Sequence, residues 1–253
     1  MKIGDCVVLK NDVHKILYEI INIADDYVTI AGINYRIVKI VEKKDLKKAS
    51  SYDIKNENDK TQKYYYNLLN QKIRNEKKYI LGKILHVDGD KKYLEKCLEL
   101  YLQLGIFAYG VKIDEEKMAN KIDRVLEQIS PDIIVLTGHD SYNSAGLSEL
   151  ENYTNTKYFM DAIKKIRKRD TNCCIIAGAC QSNFEALMAS GATFASSPKR
   201  INIHTFDPAV IAIKVATTSF LRTVDFNEIT KFINKGRDAF GGVESLGKMR
   251  MMI

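Results

Sequence analysis

The chain has no pair of cysteines at CxxC spacing; its five cysteines stand at positions 6, 97, 173, 174 and 180. An odd, scattered set of this kind does not make a disulfide framework, a zinc knuckle or a dithiol redox centre. No GxGxxG or GxxxxGK[ST] occurs, since Gly89 and Gly138 stand alone, so the familiar phosphate cradles are missing. His86 and His204 have no metal-ligand spacing to any cysteine, and neither a metal nor a cofactor is expected. No apolar run is long enough to span a bilayer, and Met1 to Leu9 is too short and polar-interrupted for a signal peptide. The expectation is a protein made and used in a reducing cytoplasm, with no membrane partner. The formal charge is +7, with lysines gathered between Lys43 and Lys92 and between Lys164 and Arg169. No RNA- or DNA-reading motif accompanies that charge, so it reads as solvated helix faces and a linker, and no nucleic-acid partner is expected.

What is present divides into three stretches. Residues 1–42 hold short strand patterns at Lys2 to Leu9, Ile16 to Ile23, Tyr27 to Ile30 and Tyr35 to Val41, punctuated by turn residues such as Asp25-Asp26 and Gly32-Ile33-Asn34. Four or five strands in so short a span suggest a small SH3-like β-barrel, a binding or tethering module without a catalytic set. Residues 43–78, rich in Lys, Asp, Asn and Ser with Tyr64-Tyr65-Tyr66 inside, read as a basic linker turning into a helix. From residue 79 to 253 strands and helices alternate. Strands are expected at Ile80 to Val87, Phe107 to Val111, Ile133 to Thr137, Cys173 to Ala177 and Ala192 to Ala195. Helices are expected at Lys91 to Leu104, Glu115 to Ile129, Tyr158 to Arg169, Asn183 to Ser190, Asp207 to Ser219 and Asn227 to Phe240. Such alternation predicts an α/β fold with a parallel sheet covered by helices on both faces.

Two strand ends carry chemistry. Ile133 to Thr137 runs into Gly138-His139-Asp140, and Cys174 to Ala177 runs into Gly178-Ala179-Cys180 ahead of a helix. Open α/β sheets place their sites at such carboxyl ends. A thiol before a helix N-terminus is expected to have a lowered pKa, and imidazole titrates near neutrality without tuning. His139 as general base and Cys180 as nucleophile therefore form the candidate catalytic pair. The backbone N–H of Cys180 and one from the Gly138 to Asp140 turn are the candidate oxyanion donors. Cys173 and Cys174 lie within a strand pattern and read as core filler.

The order His then Cys, each ending an apolar strand, with Ala179-Cys180 as the nucleophile dipeptide, resembles the caspase–haemoglobinase class of cysteine peptidases. That class carries His-Gly, whereas this chain has Gly138-His139-Asp140, which leaves the second oxyanion donor open between Gly138 and Asp140. A closer resemblance, over nearly the whole chain, is to the YabG family of sporulation-specific peptidases of spore-forming Firmicutes. It is carried by Leu136 to Asp140, by Ala177 to Leu187 (AGACQSNFEAL) and by Gly191 to Arg200 (GATFASSPKR). The resemblance implies a caspase-like α/β/α sandwich and a cysteine endopeptidase that cuts spore coat and cortex-related proteins after basic residues and processes itself. It places the protein in the mother cell of a sporulating cell, associated with the spore coat, and its catalytic His and Cys map onto His139 and Cys180.

A pocket for Arg or Lys needs a carboxylate at its base. His86-Val87-Asp88-Gly89-Asp90 places two carboxylates at the same sheet edge as His139 and Cys180. In the caspase class the loop after the first strand helps build the primary specificity pocket, so Asp88 is the main candidate, with Asp90 beside it. Either could instead cap the following helix. Asp207 is a weaker alternative, and Asp140 could orient His139. Gln181, Ser196 and Ser197 are further candidates for substrate binding. Lys43, Lys44, Lys47, Lys48, Arg74, Lys77 and Lys78 make the linker an exposed target for self-cleavage. Two rival readings remain: a thiol hydrolase of amidotransferase type, which would place Cys before His in the chain, and a non-enzymatic spore structural or binding protein.

Overall fold

Alternating apolar residues build the first sheet. The computed structural model describes residues 1–12, 16–55, 63–67 and 79–251. β1 (Cys6–Leu9), β2 (Leu17–Ala24), β3 (Tyr27–Gly32), β4 (Val38–Glu42) and β5 (Leu46–Lys48) form an antiparallel sheet in the order β4-β3-β2-β1-β5. Val7, Tyr18, Ile20, Val28 and Ile30 are fully buried on its inner face. Asp25 takes a φ of 52° in the two-residue turn between β2 and β3, the left-handed conformation that tight hairpins favour. β5 lies inside the stretch expected to be linker, because Val7, Val8 and Leu9 pair with Lys48, Lys47 and Leu46 and so complete the sheet edge. Residues 51–55 and 63–67 are helical. Arg74, Lys77 and Lys78, and most of the helix expected there, lie outside the described residues.

The strand expected at Ile80 to Val87 is broken in two. β6 (Tyr79–Ile80) pairs with β13 (Arg250–Met251), and the amide of Gly82 donates to the carbonyl of Ala216 before β7 (Ile84–Asp88) begins. β7, β8 (Ala108–Lys112), β9 (Ile133–Thr137), β10 (Cys174–Ala177), β11 (Phe194–Ser196) and β12 (Phe240–Gly242) form a sheet in the order β12-β11-β10-β9-β7-β8. All are parallel except β12, which runs antiparallel to β11. The central strands β7, β9 and β10 are buried along their whole length, as a sheet covered on both faces requires.

The period-two alternation of the strands sorts their side chains into two cores. Ile84, Ile133, Val135, Cys174, Ile176 and Phe194 pack with α1 (Lys91–Gln103) and α5 (Asp207–Thr217), in a cluster that also includes Val7, Tyr18 and Ile20 of the first sheet. Leu85, Val87, Ile134, Leu136, Ile175 and Ala177 pack on the other face with α2 (Met118–Gln128), α3 (Thr156–Arg169) and α4 (Phe184–Ala189). Burying each such aliphatic side chain is worth roughly 1.5–3 kcal/mol, so these clusters dominate the stability of the fold. Among the described residues no helix is long and apolar enough to cross a membrane.

The long helix expected at Asn227 to Phe240 does not form. α6 (Phe226–Thr230) stops early, and Lys235 and Gly236 take left-handed φ values of 67° and 52°. The chain then reverses so that Phe240 to Gly242 can close the sheet edge beside β11. Strand pairing overrides a weak helical pattern there.

The connection order positions the site. β7 leads outward to β8, whereas β9, β10 and β11 step the other way, so the loops after β7 and β9 diverge between those adjacent strands. That crevice is where sheets of this kind bind ligands. Asp88 to Asp90 and Gly138 to Asp140 flank it, and Cys180 follows the next strand, β10.

Candidate functional site

His139 leaves the end of β9 and is held from three sides. Its backbone N–H donates to Glu115 Oε1 at 2.7 Å, its carbonyl accepts from Asn155 Nδ2 at 2.9 Å, and its Nε2 lies 3.0 Å from Asp90 Oδ2. The ring of Tyr93 packs edge-on against the imidazole at 5.6 Å. With Nε2–H directed to Asp90, Nδ1 carries the free lone pair, and this buried atom has no hydrogen-bond partner among the described residues. Asp90 serves a second purpose: its Oδ1 accepts from the amides of Lys92 and Tyr93 and caps α1. Burial pushes the Asp90 carboxyl up, but the His139 hydrogen bond and charge outweigh it and leave the pKa lowered.

Cys180 sits at the top of β10 in a turn built around Gly178 and Gln181, whose φ values are 106° and 60°. Its Sγ accepts from the amide of Ile203 at 3.3 Å and reaches the Ile203 carbonyl at 3.7 Å. The residue is 1% exposed, and burial pushes its thiol up to about 12 despite the backbone hydrogen-bonding groups of Ile203 and Arg36, which pull the other way. The expected activation by the following helix is therefore absent in this arrangement. α4 is short, and its end is satisfied locally: Asn183 Oδ1 accepts from Ala186 N, and Thr156 Oγ1 accepts from Asn183 N. The thiol is protonated at neutral pH.

No hydrogen bond joins His139 to Cys180 among the described residues, yet their loops are bound together. Asp140 Oδ2 accepts from Ser182 Oγ at 2.8 Å and from Thr156 Oγ1 at 2.5 Å, while its Oδ1 accepts from the amides of Ser141 and Asn155. Ser182 Oγ in turn accepts from Ala179 N at 3.0 Å. Asp140 thus spans the His139 loop, the Cys180 turn and the start of α3. The amides of Gly138, Asp140 and Cys180 find no hydrogen-bond partner among the described residues, whereas that of His139 is taken by Glu115.

The carboxylates divide sharply. Asp88 is completely buried and paired with Arg36, whose Nη1 lies 2.5 Å from Oδ2; Thr137 Oγ1 and the amide of Asp90 also donate to it. Burial pushes its pKa up, but Arg36 and His86 outweigh this and hold it well below the usual carboxylate range. His86 is buried too, between Tyr101 Oη and Thr137 Oγ1. Asp207 is completely buried, accepting from the amides of His204 and Asn234. Gln181 bridges Tyr142 N and Asn202 Oδ1 through its amide group. Ser196 and Ser197 are completely buried, and their hydroxyls donate to the carbonyl of Ala179, so they brace the Cys180 turn. Among the described residues no group of His, Cys, Asp and Glu gathers in a way that could hold a metal ion.

Sequence reasoning missed four members of this arrangement. Arg36 arrives from the loop between β3 and β4, Glu115 from the start of the segment leading into α2, Tyr93 from the inner stripe of α1, and Ser182 from the turn after Cys180. Only Arg36 left a signal, as one of two basic residues, with Lys39, inside the apolar strand pattern Tyr35 to Val41. A cleft lined by Lys214, Thr218, Phe220 and Met249, and another lined by Arg167, Asn172, Thr193 and Lys248, contain none of the predicted site residues.

A family model described as YabG peptidase U57 matches residues 2–253 of the chain. A sporulation-specific protease YabG of Bacillus subtilis (strain 168) is 40% identical over 175 residues, which cover 67% of this chain. The match spans 60% of that relative's own length.

Proposed function

The chain belongs to the YabG peptidase family, and from that premise we propose that it is a sporulation-specific cysteine endopeptidase of caspase-like architecture, cutting after basic residues. The observation that carries the reading is the placement of His139 and Cys180 on adjacent strand ends beside the β7/β9 crevice, with their loops joined through Asp140 and Ser182. In the reaction the Cys180 sulfur attacks the scissile carbonyl and its proton passes to His139 Nδ1, the atom left without a partner. The Asp90 carboxylate fixes the imidazole orientation and stabilises the imidazolium that forms. The free amides of Cys180 and of Gly138 or Asp140 receive the oxyanion. His139 then protonates the leaving amine, and water releases the acyl group from the thioester.

Asp88 supplies the carboxylate for a basic side chain, with Asp90, Gln181, Ser196 and Ser197 shaping or bracing the surrounding loops. The substrates are spore coat and cortex-associated proteins in the mother cell. The first sheet, as an SH3-like module, tethers them, and the basic stretch after it is the site of self-processing. Mass-spectrometric mapping of peptides cleaved by the wild type but not by Cys180→Ala tests this reading. Sites ending in Arg or Lys are expected, and identical digests from both proteins would overturn it. Complete burial of Cys180 favours the rival of a non-enzymatic binding protein, which predicts those identical digests.

A further inference from the structure

The loop that carries Arg36 is fastened more firmly than a hairpin connection needs. Tyr35 forms an isolated antiparallel bridge with His204, and the carbonyl of Asn34 accepts from both the amide and the hydroxyl of Thr205, at 2.8 and 3.0 Å. These partners directly follow Ile203, whose backbone holds the Cys180 sulfur. From the opposite side, the Tyr93 hydroxyl lies within hydrogen-bonding distance of the carbonyls of Gly32 and Tyr35, and Lys96 Nζ donates to the carbonyl of Ile33 at 2.7 Å. The segment is thus pinned to residues 204–205 through the backbone of Asn34 and Tyr35.

Arg36 stands near the end of that segment and is completely buried. Its guanidinium reaches Asp88, lies 5.3 Å from the centre of the Tyr93 ring, and extends Nη2 to 3.8 Å from Cys97 Sγ. An arginine side chain seated on the buried carboxylate, with the neighbouring backbone fastened to the residues next to the one that holds the Cys180 sulfur, is the placement a substrate cut after arginine would take. A fold needing only stability gains little from such a pair, because apolar residues of similar volume serve as well as a buried ion pair. The seat is also incomplete, since Arg36 Nε is buried without a partner. The backbone departs from a substrate at one point: the amide of Ile37 turns back to donate to the carbonyl of Tyr35 at 2.8 Å, which curls the Arg36–Ile37 bond away from an extended, cleavable form.

We infer that residues 32–37 are a built-in inhibitor: Arg36 occupies the pocket meant for a substrate's Arg or Lys and slows, without abolishing, access to Cys180 until the first sheet is displaced or cut away. This rests on the assignment of Cys180 and Asp88 made above, but its primary readout needs no turnover. Alkylation of Cys180 by iodoacetamide, followed on its peptide by mass spectrometry, is to be compared in the full chain for wild type, Arg36→Ala and Arg36→Lys. Arg36→Ala is expected to react at least about tenfold faster than wild type, a gain set by exposure of the thiol, with Arg36→Lys close to wild type. Methylguanidinium is expected to slow Arg36→Ala back toward wild type by refilling the space on Asp88, and to leave wild type unchanged. Folded Arg36→Ala, with native circular dichroism, that reacts no faster than wild type would overturn the inference. So would wild type found cut after Arg36, which would make the segment a substrate. Should Arg36→Ala fail to fold, Tyr93→Phe loosens the same loop with the ion pair intact, and a faster Cys180 reaction is again expected; an unchanged rate overturns the inference. If Cys180 becomes reactive in Arg36→Ala but no arginyl peptide is cleaved, the covering role stands and the peptidase assignment fails.

Discussion

Ser182 donates a hydrogen bond to Asp140 across 2.8 Å, and through that bond the loop bearing His139 is tied to the turn bearing Cys180. Both groups are buried, so the contact is shielded from water. Ser182→Ala removes the donor to Asp140 and strands the Ala179 amide. A loss of about 1–3 kcal/mol in unfolding free energy is expected from leaving buried polar groups unpaired. Proteolytic activity should fall further than stability alone explains, because the turn holds the proposed nucleophile. Denaturant titration beside a peptide-cleavage assay checks both, and Ser182→Thr should recover much of each.

Asp90 offers a cleaner separation of roles. Asn caps a helix about as well as Asp, so Asp90→Asn should leave the stability of α1 nearly unchanged. It removes the charge that faces His139 Nε2 and offers the ring the wrong partner. Activity should drop while the melting temperature stays within a few degrees of wild type. His139→Ala, which removes the proposed base itself, should cost roughly 10²–10⁴ in rate.

Gly138 and Glu115 should prove coupled. A Cβ at position 138 would meet the Glu115 carboxylate, which is the group that receives the His139 amide. Gly138→Ala should displace that carboxylate and lower activity, and Glu115→Ala should do so by freeing the His139 backbone. The double variant should be less impaired than the two effects added together, since both act on one contact. A double-mutant cycle on peptide cleavage measures the coupling, and strict additivity would separate the two residues.

The buried pair His204 and Asp207 makes stability depend on pH in opposite directions. Burial pushes Asp207 from 3.8 up to about 7 despite the amides of His204 and Asn234. The folded state therefore holds its proton more tightly than the unfolded chain, and this contribution is full below pH 3.8 and lost as the pH rises to about 7. Burial also lowers His204 from 6.5 to about 3, so the folded state resists protonation and stability is lost as the pH falls between those values. Asp207→Asn removes only the first effect. Between pH 5 and pH 8 its unfolding free energy should rise relative to wild type over the same interval, as read from guanidinium titrations at the two pH values.

Much of this protein was legible from the chain alone. Apolar runs such as Ile133 to Thr137 and Cys174 to Ala177 determine buried parallel strands, because residues of that kind satisfy a sheet covered on both faces. Their ends determine where His139 and Cys180 emerge. Periodicity also marked α1, α3 and α5 to within a few residues. It misjudged Asn227 to Phe240, where pairing with β11 decided the outcome, and the stretch after residue 42, where β5 completes the first sheet against β1.

Tertiary structure alone decided the state of the site. Helix position argued for a lowered thiol pKa, but desolvation depends on what packs around the sulfur, whose backbone partner, Ile203, comes from a loop beyond the next strand. Asp88 was legible as a carboxylate at a sheet edge; that Arg36 would pair with it was not, because the two lie 52 positions apart and meet only when the first sheet docks on α1. Local sequence determines which groups stand at the strand ends. Long-range packing determines whether those groups face water, a partner or each other.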